Sequence, residues 1–119
     1  MGTLASFAGD EGVRAAEVSG IGAFENATLG FYVLEKRDYE RVPVSEHSEV
    51  LSLLGNLSIA DESPRVHLHA TLGTQDMSAV GGHLFDGVVG ATLELFVREE
   101  PGELRRVADA HVGLPLLDL

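Results

Sequence analysis

The chain has 119 residues, the size of one domain spanning 1–119, and 45% of them are hydrophobic, enough for a single core. The formal charge is −11 and there is no cysteine, which excludes disulfides, thiolate metal ligands and a cysteine nucleophile, and disfavours a phosphate backbone as partner. Met1 to Phe7 carry neither a basic segment nor a long apolar run, so no signal peptide and no membrane span is expected, and the cytoplasm is the expected location.

Taken in chain order, Thr3 to Asp10 reads as a short helix, with Leu4, Phe7 and Ala8 on one side, Thr3 as N-cap and Gly9 or Gly12 as the stop. Strand patterns follow at Val13 to Gly22, Ala27 to Leu34 and Tyr39 to Val44, where Pro43 argues for an edge position. Ser48 to Ile59 reads as a long strand, bulged near Gly55, and Arg65 to Leu72, Val80 to Phe85 and Val88 to Arg98 complete the set. The tail from Leu104 to Leu119 is apolar enough to pack on the body. The expected class is α+β: a largely antiparallel sheet with one or two short helices.

The segment Arg65 to Leu72 carries the chemistry. On a strand Val66, Leu68, Ala70 and Leu72 face the core, and His67, His69 and Thr71 face the other way. Gly73 to Ser78 is rich in turn formers. A hairpin centred on Asp76 pairs Leu72 with Val80 and Ala70 with Gly82, which sets His69 opposite His83 on the same face. A half-residue slip would turn His83 away, so the site rests on parity. Three neutral imidazoles make an open tetrahedral site for one divalent ion per chain. Zinc is the first expectation, with iron, nickel, copper and manganese as alternatives. Gly81 and Gly82 either leave room for a ligand or mark a bulge or crowded crossing. Asn56, Glu49 and Glu94 are candidates to orient a histidine, and Glu49 or Glu94 to act as a general base. His47 and His111 read as surface residues. Gly20-Ile21-Gly22 is not a dinucleotide fingerprint, because a strand rather than a helix follows it. The tightest basic pairs, Lys36-Arg37 and Arg105-Arg106, do not make a stripe.

Ser19-Gly20-Ile21-Gly22-Ala23-Phe24, Thr28 to Tyr32, Glu49 to Ser58, His67-Leu68-His69, Gly81-Gly82-His83-Leu84 and the closing Gly113 to Leu119 together resemble the plant and prokaryote conserved (PPC) domain over most of the chain. The resemblance implies a single-domain α/β homotrimer. In plants such domains follow AT-hook segments and mediate association, and bacterial members often carry a DNA-binding label. It also implies a fold similar to that of acetolactate decarboxylase, whose zinc is held by a His-x-His pair and a later histidine. Carried over by motif, those ligands fall on His67, His69 and His83. Family members usually have a strand before the helix, whereas this sequence begins at about the helix. The expected function is a metal-dependent domain binding or transforming a small molecule, as a lyase or hydrolase if it is an enzyme. The alternative is a non-enzymatic association or regulatory module.

Overall fold

Gly12 is what ends the first element. It adopts the left-handed conformation (φ 68°), a region that glycine enters without steric cost; its N–H donates to Gly9 O (3.3 Å), and the next N–H, that of Val13, donates to Ala8 O (2.9 Å). The computed structural model, which describes residues 1–119, has this helix, α1, at Gly2–Glu11. Thr3 therefore lies inside the helix rather than capping it. The N-cap is Met1, with no side-chain hydrogen bond. Ala8 is buried and Leu4 packs against the core, while Phe7 stays largely exposed.

Strands β1 (Ala16–Val33), β2 (Asp38–Val44), β3 (Ser48–Ala60), β4 (Ser63–Gly73) and β5 (Ala79–Glu99) follow, then the short β6 (Arg106–Ala108) and β7 (Pro115–Leu117). Two corrections concern length. The expected strand pair at 13–22 and 27–34 is one strand of 18 residues, and the pair at 80–85 and 88–98 is one of 21. The polar interruptions at Glu25-Asn26 and Asp86-Gly87 are absorbed as irregularities where β1 meets β5, not as turns. A local interruption says that regular pairing fails there, not which way the chain goes next.

The sheet runs β2-β1-β3-β4-β5, every pairing is antiparallel, and β5 pairs back onto β1, so the sheet closes on itself. β2 pairs only with β1, so Pro43 sits on an edge strand as expected. The core is built from Val18, Phe24, Leu53, Leu57, Leu68, Ala70, Leu72 and Leu84. The expected bulge at Gly55 is instead at Leu51, between the pairs Val50↔Leu72 and Ser52↔Thr71. Gly55 stays in register, opposite Leu68, for a different reason: a Cβ there would lie 1.9 Å from the His67 carbonyl oxygen. The expectation that the apolar tail packs on the body holds only in part. Leu104 O accepts from Ile59 N (2.7 Å), Arg37 donates to Ala110 O (3.1 Å) and the Tyr32 hydroxyl donates to Val112 O, so polar contacts pin it, while Leu116 and Leu119 remain exposed.

The β4–β5 turn fixes the register on which the histidines depend. Thr74 N donates to Ser78 O (2.9 Å), and the Asp76 carboxylate accepts from Thr74 Oγ1 (2.6 Å), Ser78 N (3.0 Å) and the Ser78 hydroxyl. These bonds favour the ionised form and hold the Asp76 pKa down at about 2, with the Ser78 side chain the largest cause. The turn's contribution to stability is thus fully present above the ordinary carboxyl value of 3.8 and is lost as pH falls through about 2. An NMR titration should find the Asp76 midpoint near 2, and Asp76→Ala should speed amide exchange at Ser78. A midpoint near 4 would mean that this network does not hold the turn.

Candidate metal centre

Strand parity puts the three imidazoles on the outside of the barrel. Burial along β4 alternates: Leu68, Ala70 and Leu72 are inside, His69 and Thr71 are exposed, and His67 is half-buried. The hairpin register is His69↔His83, Ala70↔Gly82, Thr71↔Gly81 and Leu72↔Val80, as expected. One ring nitrogen from each of His67, His69 and His83 lies within 4.8 Å of the others, and His67 Nε2 is 3.2 Å from His69 Nε2. Two nitrogens on a tetrahedral zinc at ~2.0–2.1 Å are about 3.3 Å apart, so this pair already has ligand spacing.

His83 is wedged between the rings of Tyr39 (4.8 Å) and Phe85 (4.7 Å), and its Nδ1 is buried without a hydrogen-bond partner. A buried ring nitrogen without a hydrogen-bond partner calls for a ligand, and a cation would supply one. Burial, then the neighbouring His67, His69 and Arg41, lowers the His83 pKa to about 4. Burial, then Arg106 and His69, holds His67 below its usual value. Both rings are therefore neutral near pH 7, the form that binds metal. Three imidazoles would hold a divalent ion and leave a fourth position without a protein ligand.

Asn56 lies directly across from His67, but it acts through a residue that the sequence reading does not single out. Arg106 Nη2 donates to Asn56 Oδ1 (3.0 Å) and approaches His67 Nδ1 (3.3 Å), while its Nε donates to the buried Ser58 hydroxyl (2.8 Å). In the sequence Arg105 and Arg106 stand as one basic pair. The available signal is parity, since adjacent strand residues point opposite ways. Arg105 pairs with Glu62 and Glu103, and Arg106 turns to the imidazoles. A cleft of about 260 Å³ opens beside His67 and His83, bounded also by Tyr39, Arg65, Arg106 and Pro115.

The structure does not bring Glu49 and Glu94 to this cluster. They line a separate groove with Ile21, His47 and Leu51. Glu49 is five positions along β3 from Leu54, the residue opposite His69, or roughly 16 Å by strand rise. Gly81 is exposed, and a Cβ would come no nearer than 3.1 Å to Ala70 O. Gly82 marks a crowded crossing, where a Cβ would lie 2.6 Å from Gly30 O. His47 and His111 are exposed. No helix is long and apolar enough to cross a membrane.

Residues 1–101 match the family model of the Plants and Prokaryotes Conserved (PCC) domain. Among solved structures, a PPC protein from Pyrococcus horikoshii is 33% identical with a TM-score of 0.92, the match covering 99% of this chain and 82% of that one. A metal-containing protein from Archaeoglobus fulgidus is 38% identical (TM-score 0.90; 98% and 83% covered). A protein from Bacteroides thetaiotaomicron, provisionally described as DNA-binding, is 30% identical (TM-score 0.94; 98% and 82% covered). No curated protein matches the chain. The family match over most of the chain and the shared fold agree with the motifs read from the residues: this chain belongs to the plant- and prokaryote-conserved (PPC) domain family.

Proposed function

We propose that the chain is a homotrimeric metal-binding domain that binds or transforms a small molecule, holding one divalent ion, zinc by first preference, on His67, His69 and His83. The observation that carries this reading is the convergence of three ring nitrogens, with two of them at 3.2 Å. The metal-containing relative from Archaeoglobus fulgidus supports it. A bound divalent ion supplies Lewis acidity toward an oxygen of the small molecule, which is the chemistry of a metal-dependent lyase or hydrolase. The chain's own residues do the rest: Tyr39 and Phe85 hold the His83 ring, and Asn56 holds Arg106 beside His67. Glu49 and Glu94 are not part of this reading, because they line the other groove.

The body measures 41 × 36 × 18 Å, and Ile21, Leu51, Leu54 and Phe96 are more than half exposed. Phe96, Ser19, Leu54 and His69 are successive cross-strand partners, so an apolar row runs up to the imidazoles. Covering such a row by neighbouring copies removes apolar area that a small domain cannot bury alone.

Elemental analysis after expression in zinc-supplemented medium should return about one ion per chain. Less than about a tenth of an ion under those conditions overturns the metal reading. The second reading, an association module, is favoured by the same apolar row and by the description of the Bacteroides thetaiotaomicron relative. It expects His67→Ala/His69→Ala to alter assembly or partner binding with no turnover to lose. Direct binding to DNA conflicts with the charge of −11 and the dispersed arginines.

A further inference from the structure

The chain has 19 acidic side chains against 8 basic ones, so an arginine without a carboxylate partner calls for a reason. Arg14, Lys36, Arg98 and Arg105 are all in ion pairs with glutamates. Of the remaining four, Arg37 is engaged by the Ala110 carbonyl. The other three, Arg41, Arg65 and Arg106, surround the imidazole cluster. The Arg41 guanidinium stacks 3.8 Å over Phe85, the ring packed on His83. Arg65 and Arg106 line the cleft that also exposes His67 and His83.

Arg106 is the informative one. It is half-buried, and its partners are the Ser58 hydroxyl (2.8 Å), the Pro115 carbonyl (3.1 Å), the Asn56 amide oxygen (3.0 Å) and His67 Nδ1 (3.3 Å), all neutral. These contacts occupy most of its five N–H donors and lock its position, yet none of them neutralises it. A partly desolvated cation among neutral acceptors costs free energy until a counter-charge arrives. Arg65 complements it: its guanidinium is exposed, makes no hydrogen bond and is free to close over the cleft.

We propose that this cleft binds a small organic anion: a carboxylate, anchored by Arg106 and clamped by Arg65, with a second oxygen donor reaching the metal held by the three histidines. The last element rests on the metal reading above; the anion seat does not. The volume of about 260 Å³ is just below the usual range for drug-sized molecules and suits a ligand of up to about ten heavy atoms. A carboxylate is favoured over a phosphate because Arg106 offers its uncompensated charge with one remaining N–H and Arg41 is committed to Phe85, leaving one complete fork, on Arg65, for planar recognition.

The test is calorimetric titration of zinc-loaded and metal-free protein, at low salt, with glycolate, with its neutral analogue glycolamide, and with inorganic phosphate. Glycolate should bind the zinc-loaded form at least about tenfold more tightly than glycolamide, and Arg65→Gln should lose about tenfold in glycolate affinity with zinc content unchanged. Arg106→Met should lose at least as much. Because Arg106 also ties down Pro115, Arg65→Gln is the decisive variant. Equal affinity for glycolate and glycolamide, or no loss in either variant, overturns the anion seat. Tighter binding of phosphate than of glycolate overturns the carboxylate assignment. No glycolate binding together with a changed oligomeric state in the arginine variants would assign the arginines to a neighbouring copy's carboxylate and overturn the proposal as well. Zinc uptake is scored separately. Arginine-dependent glycolate binding without zinc uptake sinks the metal reading and keeps the seat, and zinc uptake without glycolate binding does the reverse.

Discussion

Gly55→Ala should destabilise the protein by about 3 kcal/mol, lower the melting temperature by about 10 °C, and reduce metal uptake along with it. The added methyl would stand 1.9 Å from the His67 carbonyl oxygen and 2.8 Å from Leu68 Cδ2. The nearest obstacle is backbone of the adjacent strand, so no rotamer change relieves it. β4 must move at the residue that supplies the first histidine. Gly81→Ala is the control. Its Cβ would come no closer than 3.1 Å to Ala70 O on an exposed strand position, and the expected cost is under about 1 kcal/mol. Thermal unfolding and zinc stoichiometry of the two variants check this. Equal costs would mean that the approach of β3 to β4 at Gly55 is looser than described.

The second large effect is on metal-linked stability. Zinc at about 100 times its dissociation constant should stabilise the wild-type chain by about 2.7 kcal/mol, roughly 10 °C in melting temperature. His67→Ala/His69→Ala should abolish that increment. The two substitutions remove the nitrogens that lie 3.2 Å apart and leave His83 alone in its aromatic packing. The exposed position of His69 makes its loss inexpensive for the metal-free fold, within about 0.5 kcal/mol. Retention of the full zinc shift in the double variant would place the ion elsewhere.

Much of this centre was legible because strands impose a two-residue period. The alternation from Val66 to Leu72 assigns His67 and His69 to one face, and a hairpin centred on Asp76 is the register that brings His83 to the same face, which the structure adopts. The alternation is a local rule, and the structure follows it. Pro43 at an edge and Gly12 as the helix stop are local in the same sense. Glu49 and Glu94 are different. Each is a polar residue on a strand, but distance from the imidazoles along and across the sheet depends on which strands adjoin, and periodicity carries no information about that.

The element types and the inward and outward faces of β4 follow from local sequence, because each rests on backbone geometry over a few neighbouring residues, whereas the His69↔His83 pairing is one of the registers that the sequence leaves open. Only in the folded chain is it settled that His83 pairs with His69, that β1 and β5 run unbroken, that the sheet closes through their pairing, and that Arg106 reaches from the tail across Asn56 to His67, 39 positions away. Those outcomes depend on contacts between distant segments. Their free energy comes from burying the shared core and satisfying buried polar groups, which no local window contains.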